Sequence, residues 1–90
     1  MNRPDSLKSL TLARAFEQFL ESAPFARRTR ESYTEDLAPL LTLYGKASVT
    51  VLTTEIIQAY LARQEALAPT TYNRRLAALR SFLGFLRVQG

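Results

Sequence analysis

From Tyr72 to Leu86 the residues Tyr72, Leu76, Leu79, Leu83 and Leu86 recur at spacings of four and three. An α-helix repeats every ~3.6 residues, so this register puts all five on one face, whereas a strand would need alternation at two. Phe82 and Phe85 widen the face toward its C-terminal end, while Thr70, Asn73, Arg74, Ala77, Ala78, Ser81 and Arg87 fall mostly on the other side. Pro69 suits a first helical turn, where a missing N–H costs little. A helix over about residues 70–87 is therefore expected, with Gly84 weakening it slightly and permitting close packing.

The rest of the chain repeats this logic. Leu12, Phe16, Phe19, Leu20 and Ala23 form one stripe over about residues 11–23, with Thr11 placed to accept an early orphan N–H. Tyr33, Leu37, Leu40 and Tyr44 share a face over 29–44, with Thr29 as the expected cap and Gly45 in the left-handed position beyond the end. Pro39 lies inside that segment and lacks the N–H for the Glu35 carbonyl, a cost of ~3 kcal/mol, so a kink or break is expected near Ala38. Val49-Thr50-Val51 is too short for a partnerless strand, and 46–52 is expected as extended loop. Thr53 or Thr54 then caps a helix over 54–65 with Ile56, Ile57, Tyr60, Leu61 and Gln64 inward. The fold class expected is all-α, a compact four-helix bundle.

With 90 residues, such a bundle is one domain. Residues 1–9 are polar and broken by Pro4, which reads as a flexible segment rather than a signal or transit peptide, and 10–90 as the folded domain. No apolar run approaches the ~20 residues of a membrane span, so a cytoplasmic protein with no membrane partner is expected. There is no Cys and no His. A disulfide framework, a thiol nucleophile, a His-based triad and the usual zinc sites are thereby excluded, and no cofactor or metal is expected.

The net charge of +4 is unevenly placed. Residues 1–65 balance Arg3, Lys8, Arg14, Arg27, Arg28, Arg30, Lys46 and Arg63 against Asp5, Glu17, Glu21, Glu31, Glu35, Asp36, Glu55 and Glu65. Residues 66–90 carry Arg74, Arg75, Arg80 and Arg87 with no acid. All 12 cations except Lys8 and Lys46 are Arg, the side chain whose planar fork suits phosphate and guanine. Glu31, Glu35 and Asp36 sit beside a basic cluster without a base or metal partner, and they read as favourable charge near a helix N-terminus rather than a catalytic pair. Tyr33, Tyr44, Tyr60 and Tyr72 lie on apolar stripes and read as core tyrosines, not nucleophiles.

Two basic helix starts remain as candidate binding elements: Arg27-Arg28-Thr29-Arg30 with Ser32, and Thr70-Thr71-Tyr72-Asn73-Arg74-Arg75. Backbone N–H groups, hydroxyls and the positive dipole end at each can hold phosphate, and two such starts side by side would straddle double-stranded DNA. In the competing reading the threonines only cap and the arginines are only solvated. A helical protein–protein module is the alternative function, favoured if Phe82 or Phe85 were exposed.

Thr29-x3-Tyr33-x3-Leu37, then Tyr60-Leu61, then Leu67 to Leu86 with its core Thr71-x-Asn73-Arg74-x-Leu76-x-Ala78-Leu79-Arg80-x-Phe82, resembles the N-terminal core-binding domain of tyrosine recombinases. This is the SAM-like helical domain of phage integrases and Xer-type recombinases, and the resemblance covers about residues 9–90. It implies one half of a clamp on the core-site duplex, with the second and fourth helices facing the major groove. By position it implies DNA contacts from Arg28, Thr29, Arg30, Ser32, Thr70, Thr71, Asn73, Arg74 and Arg75. Arg80 also matches a family position but lies nearer the seam's flank. Pro39 and Ala68, the latter where a capping Ser is typical, depart from the pattern. The family's catalytic Arg, Lys, His and nucleophilic Tyr belong to a separate C-terminal domain. The resemblance therefore implies a non-enzymatic module of a parent recombinase, partnered by DNA, that catalytic domain and other recombinase subunits.

Overall fold

The computed structural model describes residues 10–64 and 66–89. Four helices run α1 Leu12–Glu21, α2 Arg27–Tyr44, α3 Thr54–Gln64 and α4 Pro69–Gln89. The segment 1–9, expected to be flexible, lies outside the described residues. No helix of the described residues is long and apolar enough to cross a membrane.

The core is built where α1, α2 and α4 meet. Leu12, Ala15, Phe16 and Phe19 of α1, Leu37 and Leu40 of α2, and Ala78, Leu79 and Phe82 of α4 are buried there. Phe19 is the hub of its aromatic part: its ring lies 5.2 Å from Tyr33, 5.4 Å from Phe82, 5.6 Å from Phe85 and 5.7 Å from Phe25. Phe16 meets Phe82 edge-on at 5.7 Å. Offset and edge-to-face pairs of this kind add to the area they bury. Because α1 and α2 both pack on α4, the buried band of α4 is wider than the single stripe its spacing marks. Ala78, expected on the outer side, is in the core, whereas Tyr72 and Leu76 are only half-buried.

Local departures have local causes. Helix α2 starts at Arg27 instead of Thr29, because Phe25 is anchored against Phe19 and Tyr33 and fixes the chain's entry at Ala26. Thr29 is thus inside the first turn, not the cap. The helix runs unbroken through Pro39. The donor that Pro39 lacks would have met the carbonyl of exposed Glu35, which water can satisfy. Leu37 and Leu40, both fully buried, contribute ~1.5–3 kcal/mol each and together outweigh the ~3 kcal/mol of the proline.

Gly45 ends α2 in right-handed geometry, φ −58° and ψ −31°, and not in the left-handed conformation. A Cβ there would run into the Leu41 carbonyl oxygen, and its own carbonyl accepts from Ala13 N–H at 3.0 Å. The segment expected as extended loop contains a 3-10 turn, Val49–Val51, capped by Ser48. Together with Ala47 O, which accepts from Leu12 N–H at 2.7 Å, this connector closes over the start of α1. Thr11 and Thr53 cap as expected, accepting from Arg14 N–H and Ile56 N–H at 3.2 Å each. At Gly84 an added Cβ would meet nothing within 4 Å, so close packing is not why it is there.

Candidate functional site

The two basic helix starts do not meet tip to tip. The start of α4 abuts α2 midway along its 18 residues, where Arg74 Nε donates to Asp36 Oδ1 at 2.8 Å. Asp36 is about 13 Å along the axis from Arg27, at the ~1.5 Å rise of an α-helix. The expected side-by-side tips are therefore offset: Tyr33 near the start of α2 shares the Phe19 cluster with Phe82 and Phe85 of the C-terminal half of α4, and the start of α4 meets α2 at Asp36.

The join is a polar cluster in an otherwise apolar seam. Asp36 is 2% exposed, and its second oxygen accepts from the Ser32 hydroxyl at 3.3 Å. A carboxylate withdrawn from water needs such charge-assisted bonds to offset its lost hydration. Arg75, one residue beyond Arg74, donates through Nη1 to Gln64 Oε1 at 2.8 Å and so ties α4 to the end of α3. Its Nε is buried without a partner among the described residues, as is the Tyr60 hydroxyl. Burial pushes the Tyr60 pKa above its ordinary value of 10.0; the Arg75 guanidinium acts against this and the Asp36 carboxylate with it.

The sequence-predicted residues sort by what they already hold. Arg30 donates to the Leu20 carbonyl at 2.6 Å, satisfying the last turn of α1. Arg75 is likewise engaged inside the fold, so these two guanidinium groups are largely structural. Arg27 pairs loosely with Glu31 at 3.3 Å while 92% exposed, a surface pair worth little. Arg28, Thr70 and Asn73 are exposed, and Thr29 and Thr71 half-buried, with no side-chain hydrogen bond among the described residues. Arg74 is anchored by Nε alone, and its side chain stays 56% exposed. Arg28, Ser32 and Asp36 follow one another at spacings of four, with Thr29 three before Ser32, so a ridge along α2 leads to Arg74.

Both starts lack side-chain caps. Ala26 precedes α2 without a cap hydrogen bond, and Ala68, whose carbonyl accepts from Tyr72 N–H, has no side-chain oxygen to offer α4. The first-turn N–H groups of both helices therefore have no side-chain cap at Ncap, unlike those of α1 and α3.

Sequence reasoning missed Asp36. Its place beside Glu31 and Glu35 suggests charge near a helix start, but α2 begins at Arg27 and Asp36 lies mid-helix. The legible signal was its spacing from Tyr33, Leu37 and Leu40, which puts a carboxylate on the flank of the apolar stripe. No group of three or more potential ligands able to hold a metal occurs among the described residues.

Four helices with a basic ridge and two starts that lack side-chain caps make up an all-α module among the described residues. Residues 13–90 match the family of the phage integrase N-terminal SAM-like domain, and the chain belongs to it. It corresponds to the recombinase-associated N-terminal part of integrases, not to their catalytic domain. Searches among curated proteins and among solved structures each found no match.

Proposed function

We propose that this domain is the core-binding module of a tyrosine recombinase, gripping duplex DNA along the ridge of α2 and the start of α4. The observation that carries the reading is the Ser32–Asp36–Arg74 join, which ties the uncapped start of α4 to the middle of α2. Arg28, Arg74, Thr70 and Asn73 are the side chains available to the duplex, with Thr29, Thr71 and the open N–H groups completing a phosphate-binding edge. Arg27 can exchange its weak partner Glu31 for phosphate. Arg30, Ser32 and Arg75 support the surface from within. Cleavage and joining fall to a separate catalytic domain, and this one fixes where on the core site that domain acts.

The alternative of a protein–protein module is favoured by an exposed Phe82 or Phe85, yet Phe82 is fully buried and Phe85 packs on Phe19. Titration with a short DNA duplex, followed by amide NMR, tests the reading. Shifts concentrated at residues 27–32 and 70–75, an affinity that falls steeply with salt, and a larger loss for Arg74→Ala than for Arg87→Ala are expected. Absence of any response at low salt would overturn it.

A further inference from the structure

A buried carboxylate is an odd component for a surface that binds a polyanion. Asp36 adds negative potential directly behind Arg74, and by charge alone its removal should tighten DNA binding. Its geometry points the other way. The carboxylate engages Arg74 through Nε only, the nitrogen nearest the side-chain stem, and leaves both Nη groups without a partner among the described residues. Asp36 itself is held in place: its side chain is almost wholly buried, and Ser32 donates to its other oxygen. A long, flexible side chain is thereby held on a rigid base with its paired donors still in solvent.

We propose that Asp36 is the positioning residue of the DNA-binding surface: it fixes Arg74 before the duplex arrives, so that the ordering of that side chain does not oppose binding. This rests on the DNA reading above and adds to it a residue that touches no DNA. Ordering one rotamer-rich side chain on association lowers affinity by about threefold to tenfold, and that is the effect expected when Asp36 is neutralised.

The test compares Asp36→Asn with Glu35→Gln, which removes the same charge from the exposed neighbouring position. Fluorescence anisotropy with a labelled duplex should show Glu35→Gln binding as tightly as the starting chain or tighter. Asp36→Asn should bind about threefold to tenfold more weakly, with a far-UV spectrum unchanged. In an Arg74→Ala background Asp36→Asn should not weaken binding further. If Asp36→Asn leaves affinity unchanged or raises it, or weakens binding equally without Arg74, the positioning role is overturned while the DNA reading stands. If the unaltered chain binds no duplex, both fall together. Should Asp36→Asn fail to fold, the Arg74 Nε–Hε resonance of the unaltered chain decides. Protection from solvent exchange, kept when duplex is added, supports the role; a resonance that exchanges freely, or is released on binding, refutes it.

Discussion

Replacing Arg74 by Ala should cost stability as well as binding, and the size of that cost follows from what it leaves behind. In the fold Arg74 Nε lies 2.8 Å from Asp36 Oδ1, and Asp36 is 2% exposed. Without the guanidinium, the carboxylate keeps one hydroxyl, that of Ser32, at 3.3 Å. Breaking a fully buried pair costs 3–5 kcal/mol, whereas exposed pairs are worth about 0–1 kcal/mol. The arginine side chain is 56% exposed, so water can enter where it stood, and the expected loss is intermediate, about 2 kcal/mol. A domain of 90 residues has a stability on the order of 5–13 kcal/mol, so this is a substantial fraction. Urea unfolding followed by far-UV circular dichroism at neutral pH should lower the midpoint at unchanged m-value, and the melting temperature should fall by roughly 8–16 °C. Adding Asp36→Asn to Arg74→Ala removes the unpaired charge, and the double variant should regain at least half of the loss. A single-variant cost below about 0.5 kcal/mol, or strictly additive effects in the double variant, would refute the pairing as described.

Other substitutions probe different parts of the fold. Phe82→Ala empties a fully buried site between Phe16 and Phe19 and should cost about 3–5 kcal/mol in the same urea assay. Tyr60→Phe removes a buried hydroxyl without a partner and should be neutral or stabilising by about 1 kcal/mol at neutral pH. The raised Tyr60 pKa means that the folded state favours the protonated phenol. Its contribution to stability is complete below pH 10.0 and is lost as pH rises through the higher folded value, so the advantage of Tyr60→Phe should grow in alkali. Gly84→Ala enters open space in mid-helix and should stabilise α4 by up to ~1 kcal/mol, visible as a higher thermal midpoint.

Spacing at three and four along the chain, capping hydroxyls and the absence of Cys and His were enough for an all-α bundle of four helices. They sufficed because local backbone bonding and one apolar face determine whether a segment is a helix. Thr11 and Thr53 cap where their positions suggest, and α4 begins at Pro69. Sequence also located the basic helix starts, since charge and hydroxyl content do not depend on packing. Contacts between distant segments decided the rest. Phe25 docking on Phe19 moved the start of α2, and two buried leucines carried that helix through Pro39. Packing of α1 and α2 on the same side of α4 drew Ala78 into the core. Above all, periodicity within α2 places Asp36 on the flank of the apolar stripe but could not show that its partner would be Arg74, 38 residues away, or that Arg30 and Arg75 would bond to Leu20 and Gln64. Helical periodicity reports which side of a segment avoids water. Which charge meets which across the bundle depends on how the helices cross, and only the assembled fold specifies that.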